Sequence, residues 1–277
     1  MSELWRDLLI VGLALLTSTI GSIGGLGGAI LLVPLLTFGD MSITEAAPLG
    51  LVSVIAGSVA AGRRQTHDGI VNHRFGIVTE LGATSGAIVG VLLAGALSDG
   101  LLTMFLAVVA LLAGVGGAWR RGVRWKPDPA LEPGDVGERH GSLAGAYRLD
   151  DLNVVPYVPT RMPIGVALMA MSGIVTGLAG VGGGFLKTPL SSEVMRLPAK
   201  VAAGTSTFTI GLTASTALML MAIDGRVIVS DAALVVLGAL FGGTFGSLLQ
   251  RRMSPQVVRR ATALLLIVIA VLLMVRA

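Results

Sequence analysis

Residues 177–190 read GLAGVGGGFLKTPL, and this stretch decides the fold because glycines and a lysine interrupt a long apolar segment. Residues 21–36, GSIGGLGGAILLVPLL, repeat the pattern without the lysine. Glycine is a poor helix former and tolerates positive φ, so a helix can end and restart at a run of glycines. A single packing face cannot use contiguous glycines, and we therefore predict a broken helix at each stretch.

The rest of the chain is apolar enough to lie in a membrane. It is 53% hydrophobic and 13% charged, with a mean hydropathy of +0.85, whereas soluble domains carry about 25% charged residues. Apolar segments of about 20 residues or more, the length that crosses about 30 Å of hydrocarbon, recur throughout: 8–38, 43–62, 76–97, 100–119, 162–198, 201–223, 227–250 and 256–275. The sequence predicts an all-α polytopic protein of the cytoplasmic membrane.

Several functional classes are excluded or disfavoured by composition. The chain has no cysteine, which excludes disulfides and thiolate chemistry. Its Lys and Arg residues are spread over loops without interleaved aromatics, so we expect no nucleic-acid partner. The histidines His67, His73 and His140 fall in loops without metal-ligand spacing, and GGGFLKT lacks the P-loop spacing. We therefore expect no metal, no cofactor and no catalytic residue, and a membrane enzyme is the least favoured alternative.

The chain contains an internal repeat. A shift of 155 or 156 residues aligns Gly27 with Gly182, Gly28 with Gly183, Pro34 with Pro189, and Asp68-Gly69 with Asp224-Gly225. We predict one transmembrane repeat over 1–119 and a second over 162–277. The polar, proline-rich residues 120–161 form a cytoplasmic connecting loop between them, and residues 125–141 are predicted to be extended.

The distribution of positive charge favours two repeats that are inverted in the membrane. If each glycine-broken segment enters and returns to the same side, the other three segments of each half cross fully. All but three of the 20 Lys and Arg residues then face the cytoplasm, the exceptions being Arg6, Arg226 and Arg276. Four plain crossings per half would leave seven outside. The positive-inside bias favours the inverted arrangement of a re-entrant helix plus three transmembrane helices per repeat.

Broken helices at matching positions of two inverted halves are typical of a transporter's substrate site. The restarting helix presents free N–H groups and its positive dipole end, which favour an anion. We therefore predict that backbone amides hold a small anion near the bilayer midplane at Gly24, Gly25, Gly27 and Gly28, and at Gly182, Gly183 and Gly184.

Other glycines are spaced for helix packing. Gly82, Gly86 and Gly90 recur every four residues, as do their repeat counterparts Gly238, Gly242 and Gly246. Small residues at this spacing let two membrane helices approach closely.

Charged side chains within apolar segments are costly and usually functional. Lys187 follows the second glycine run and either places its ammonium beside the anion or extends to the inner interface. Glu80 lies one turn inside its segment and is a candidate for proton coupling or an interfacial residue. Hydroxyls cluster in GTSTFTIGLTAST, residues 204–216, where Thr205 and Ser206 are favoured as ligands over a role in helix packing.

These motifs resemble the TauE/SafE family of membrane transporters over nearly the whole chain. They are two copies of G-x-G-G followed by Pro, AAGTSTF after the second copy, and a DG-x-V turn before a later helix. The resemblance implies export of small anions such as sulfite or organosulfonates. The first copy has APLGLVSV in place of AAGTSTFT, which offers Ser53 but no Thr-Ser pair.

The sequence thus predicts a secondary transporter, an exporter of sulfite or an organosulfonate by alternating access. An anion channel with re-entrant segments is the alternative. The small-molecule anion, the lipid bilayer and a coupling proton are the expected partners. The sequence leaves the substrate, the coupling ion and a homo-oligomeric state open.

Overall fold

The computed structural model describes residues 3–24, 27–39, 41–119, 136–148, 153–250 and 255–276. The first half contains α1 (Glu3–Gly24), α2 (Ala29–Phe38), α3 (Ile43–His67), α4 (His73–Ala94) and α5 (Asp99–Trp119). The second contains α6 (Met162–Ala179), α7 (Gly184–Pro189), α8 (Ala199–Ile223), α9 (Val229–Gln250) and α10 (Pro255–Arg276). A single π turn, Leu190–Val194, follows α7.

The two halves share one order of elements. In each, a long helix ends at the glycine run, a short helix restarts, and three long helices follow. Within the described part of the chain, seven helices are long and apolar enough to cross a membrane. The prediction of an all-α, multi-pass membrane protein is confirmed.

Glycines set which long helices lie against each other. A β-carbon at Gly82 would lie 2.6 Å from the carbonyl oxygen of Val166, and one at Gly86 would lie 1.9 Å from that of Ala170. Since both residue numbers rise together, α4 and α6 run parallel and in near backbone contact. The predicted packing role of these glycines agrees with this geometry.

The same arrangement recurs between α1 and α9. Added β-carbons at Gly238, Gly242 and Gly246 would meet the carbonyl oxygens of Val11, Leu15 and Thr19 in that order. These two helices are therefore also parallel and closely packed. Each contact joins the first helix of one half to the fourth helix of the other.

The directions of the remaining helices follow from two observations. Gly76 of α4 faces Thr205 and Thr209 of α8, and Glu80 contacts Thr213 one turn further along both helices, so α4 and α8 are parallel. Only five residues, 224–228, join α8 to α9, which forces these two helices to be antiparallel. Consequently α4, α6 and α8 run one way, while α1 and α9 run the other.

The connection between the halves contains a small sheet that the sequence analysis did not predict. Strands β1 (Gly137–Glu138), β2 (Gly145–Arg148) and β3 (Val154–Tyr157) pair antiparallel in that order. The expected extended loop over 125–141 falls outside the described residues up to 135, and β1 occupies 137–138. Such short strands carry little sequence signal, because their burial comes from the helices they cover.

Tyr157 and Asn72 fasten this sheet to the helices. The Asn72 Nδ2 group donates to the Leu143 carbonyl at 2.9 Å and to the Tyr157 hydroxyl at 3.2 Å. Burial raises the pKa of Tyr157, and the negative charge of Glu138 adds to the rise while the Asn72 hydrogen bond opposes it. The phenol therefore stays neutral at physiological pH, and the sheet covers the end of the bundle where α4, α6 and α8 begin.

Gly86→Ala should destabilise the protein by about 1–3 kcal/mol, because the new methyl group collides with the Ala170 carbonyl and forces α4 from α6. Gly12→Ala in α1 is the matched control, since a β-carbon there meets nothing within 4 Å. Thermal unfolding of both variants in detergent compares them. Equal unfolding temperatures would contradict the close packing of α4 and α6.

Candidate functional site

The two glycine runs adopt the same unusual backbone conformation. Gly27 has φ of 77° and Gly182 has φ of 63°, a left-handed region that other residues rarely adopt. A β-carbon on either glycine would lie within 3.4 Å of the same two side chains, Val54 of α3 and Ile210 of α8. The two helix breaks therefore meet near the middle of α3 and α8.

Each short helix restarts in the same way after its break. The Gly28 carbonyl accepts from the amides of Leu31 and Leu32, and the Gly183 carbonyl accepts from those of Leu186 and Lys187. Gly28 and Gly183 are the N-cap residues, with φ of −65° and −74°. In each break the glycine before the cap has a positive φ, and the second break has a further left-handed glycine, Gly180 with φ of 66°, at the end of α6.

The remaining predicted glycines lie close to these caps. Gly24 is the last residue of α1 and Gly184 is the first residue of α7, whereas Gly25 lies outside the described residues. Both caps press against hydroxyls of the preceding helix: added β-carbons would lie 2.8 Å from Ser18 Oγ at Gly28 and 2.5 Å from Ser172 Oγ at Gly183. Backbone approaches this close exclude any side chain larger than hydrogen.

Lys187 and Glu80 form a buried ion pair. Lys187 Nζ lies 2.7 Å from Glu80 Oε2, and the two side chains are 3% and 7% exposed. Nζ also donates to Thr213 Oγ1 at 2.6 Å, and the Thr213 hydroxyl donates to Glu80 Oε1. The three side chains close a hydrogen-bonded ring that joins α7, α4 and α8. In the sequence, Lys187 and Glu80 are separate candidates for anion binding and proton coupling, and the tertiary structure brings them into contact.

The ring lies beside the meeting point of the breaks. Thr213 follows Ile210 by three residues, so the two share a face of α8 one turn apart. Lys187 is four residues after Gly183, one turn into the restarting helix. The described part of the chain therefore brings a buried cation, a buried carboxylate and both left-handed glycines into one region.

The positions that the repeat relates to the ring hold apolar residues, two in the first half and one in the second. The repeat alignment places Leu32 opposite Lys187, Val236 opposite Glu80 and Gly57 opposite Thr213. Leu32 is fully buried, and Val236 packs against the same apolar cluster. A similar backbone arrangement thus forms without an ion pair at the equivalent positions. This argues that the fold does not require the charged residues.

The first half has a small cavity beside its break. Its volume is about 20 Å³, enough for water. It is lined by residues of α1, α3 and α8 and by the break itself: Ser18, Gly21, Ser22, Gly27, Gly28, Val54, Gly57, Ser58, Thr207 and Ile210. A β-carbon at Gly57 would meet nothing within 4 Å, so the residue opposite Thr213 leaves this space open.

The predicted hydroxyl ligands have different surroundings. Ser53 is fully buried, and its Oγ lies 2.9 Å from that of Ser18, which lines the cavity. Ser206 Oγ is buried and has no hydrogen-bond partner. Thr205 Oγ1 accepts from the backbone amide of Asn72 at 2.9 Å, and it lies about 12 Å along α8 from Thr213. The structure brings Ser53 to the breaks and leaves Thr205 at the contact between α4 and α8.

Thr213 is the residue at the ion pair that the sequence analysis did not select. A signal for it exists: Thr205, Thr209 and Thr213 recur every four residues on α8, in register with Gly76 and Glu80 on α4. Matching spacings on two parallel helices identify facing residues only when their pairing is known. The cavity hydroxyls Ser18, Ser22, Ser58 and Thr207 were missed for the same reason.

Gly182→Ala should destabilise the protein more than Gly225→Ala. Both glycines have left-handed φ, 63° and 71°, so both substitutions carry a backbone cost of about 1–2 kcal/mol. A β-carbon at Gly182 would also lie 2.6 Å from Val54 Cγ2, whereas one at Gly225 meets nothing within 4 Å. Unfolding temperatures in detergent measure the difference, and equal losses would contradict the tight meeting of the breaks.

Comparison with known proteins gives one consistent result. The family model described as "Sulfite exporter TauE/SafE" matches residues 10–273. The chain is 24% identical over 269 residues to the probable membrane transporter protein YunE of Bacillus subtilis (strain 168), covering 94% of each chain. No solved structure matches significantly. Among the described residues, no group of His, Cys, Asp or Glu could hold a metal ion. The chain belongs to the TauE/SafE family of membrane transporters.

Proposed function

We propose that this protein exports a small anion, sulfite or an organosulfonate, across the cytoplasmic membrane by alternating access. One observation carries the proposal: two glycine-broken helices from opposite halves meet beside a buried lysine. Irregular backbone at membrane depth persists where it lines a site or a water-filled cavity. A compact ammonium among apolar helices suits an anion.

The proposed anion site combines backbone and side-chain donors. The amides of residues 27–28 and 182–184 would supply neutral donors, and Lys187 the charge. Ser53 and Ser206 are secondary ligands in this proposal, because both are buried, Ser53 contacts Ser18 of the cavity, and Ser206 Oγ lacks a partner. Thr205 is less favoured, since its hydroxyl already accepts from Asn72. Glu80 is the proposed proton acceptor.

We propose further that the halves are inverted repeats. Support comes from helix direction: α1 runs with α9, whereas α6, its counterpart in the repeat, runs with α4 and α8 in the opposite direction. Each short helix is too short to cross the bilayer alone, since α2 has 10 residues and a span needs about 20. Alternating access in inverted-repeat transporters is a movement of one repeat against the other around a central site.

A flux panel in proteoliposomes tests the function. Sulfite or methanesulfonate should enter or leave faster than sulfate and acetate, with saturation, and with no flux in empty vesicles. Each anion is measured with and without a pH gradient. Transport of a cation or a neutral solute in place of all four anions would contradict the anion site, and unsaturable passive flux would favour a channel.

The same assay tests Lys187. Lys187→Gln should weaken anion affinity ten- to a hundredfold, because a charge-assisted hydrogen bond contributes about 1.5–3 kcal/mol. Lys187→Arg should restore affinity only in part, since the planar guanidinium does not fit a site built for a compact ammonium. Lys200→Gln, at an exposed lysine, is the matched control and should bind normally. Unchanged affinity in Lys187→Gln would remove Lys187 from the site.

Single cysteines test the inverted arrangement, because the native chain has none. Ser98→Cys and Ser142→Cys serve as references for the outside and the inside of the cell. Ser230→Cys, exposed at the start of α9, should react with an impermeant maleimide from outside. Parallel repeats would place Ser230 inside, so labelling only after permeabilisation would contradict the inversion.

A further inference from the structure

We infer that each monovalent anion is carried together with one proton, so that transport is electroneutral. The inference rests on the proposed function and specifies its coupling; export then requires a cytoplasmic anion concentration high enough to exceed the opposing inward proton gradient. It starts from the hydrogen-bonded ring of Lys187, Glu80 and Thr213. In this ring one buried positive charge and one buried negative charge neutralise each other.

The ring is isolated from other charges. The elements packed against α4 and α7 are α6, α8 and the π turn. Their titratable residues, with those of α4 itself, lie at helix ends or outside the apolar spans: His73, Arg74, Arg161, Glu193 and Lys200. The nearest along α4 is Arg74, six residues or about 9 Å from Glu80. Within the described part of these elements, Lys187 and Glu80 therefore balance only each other.

An anion that binds Lys187 disturbs this balance. With Glu80 ionised, the site would hold two negative charges and one positive charge in a low-dielectric region, which costs several kcal/mol. Uptake of one proton from water onto a Glu80 carboxylate oxygen restores zero net charge. It also removes the carboxylate that competes with the anion for Nζ. The anion and the proton thus bind as a pair.

The site is then neutral in both states in which it switches its access from one side of the membrane to the other. One is the empty protein with its Lys187–Glu80 ion pair, and the other contains cationic Lys187, the anion and protonated Glu80. On the other side the anion leaves, the Glu80 proton returns to water, and the ion pair re-forms. Thr213 holds both partners in the empty state, because its hydroxyl accepts from Nζ and donates to Glu80 Oε1.

The internal repeat suggests a variant that distinguishes the proposed proton-coupling role of the ion pair from a structural role. The positions equivalent to the ring hold Leu32 and Gly57 of the first half and Val236 of the second half. The double variant Lys187→Leu, Glu80→Val copies two of these residues into the ring. Replacement of a buried ion pair by apolar residues of similar volume is often neutral or stabilising. We expect this variant to fold and to lose anion binding.

Methanesulfonate in wild-type proteoliposomes measures the stoichiometry, because it is monovalent throughout the assay range. At zero membrane potential, a pH gradient of one unit should accumulate the anion about tenfold on the alkaline side. A potential of about 59 mV at equal pH, which corresponds to a tenfold distribution for one charge, should accumulate none. Accumulation driven by potential and not by pH would overturn the inference and leave anion transport standing.

Variants identify the proton site in the same assay. Glu80→Gln cannot take up the proton, so its methanesulfonate distribution should follow potential and ignore pH. Methanesulfonate should also raise its unfolding temperature more than that of wild type, since the ligand supplies the missing negative charge. Retained pH-driven accumulation in folded Glu80→Gln would overturn the role of Glu80. Absence of methanesulfonate flux under both driving forces in wild type would contradict the proposed function itself.

Discussion

The structure depends on one constraint: a backbone that leaves helical geometry inside a membrane must still satisfy its polar groups. The second break satisfies part of this need locally, because the Gly183 carbonyl accepts from Leu186, Lys187 and the Ser172 hydroxyl. Side chains of both halves also cover the two breaks, since Gly27 and Gly182 each lie against Val54 of α3 and Ile210 of α8. Each break is therefore covered in part by the other half.

Close glycine packing determines which helices form rigid pairs. The α1–α9 and α4–α6 contacts bring backbones so near that a methyl group would collide with a carbonyl oxygen. Each pair joins helices of different halves. Glu80 lies on α4, which packs closely against α6, and Lys187 lies on α7, the short helix that follows the second break. The ion pair therefore connects the α4–α6 pair to the helix after the break. A movement of α7 relative to α4 would have to separate the two charges.

The duplicated scaffold is symmetric in backbone and asymmetric in chemistry. Equivalent glycines have nearly equal φ, and equivalent carbonyls accept equivalent amides. The side chains differ: the second break lies beside Lys187 and Thr213, which contact Glu80 of the first half, whereas the first break lies beside a small cavity next to Gly57. The second break thus has charged residues beside it, and the equivalent positions hold apolar residues. The proposed coupling of anion and proton uses this difference.

The sequence by itself determined the membrane class and the positions of the two breaks, and it singled out Lys187 and Glu80 as candidates, because hydropathy, glycine runs and intramembrane charge are local signals. It did not determine that Lys187 and Glu80 touch, that Thr213 joins them, or that Ser18, Ser58 and Thr207 share a cavity. These residues lie on different helices, and their meeting depends on which glycine faces pair and in what register. The connecting sheet was missed for a related reason, since its strands are too short to have a pattern and are buried only by the helix ends they cover. Local properties such as hydropathy, charge and glycine content can be read from the sequence, whereas contacts between residues far apart in the chain depend on how the helices pack.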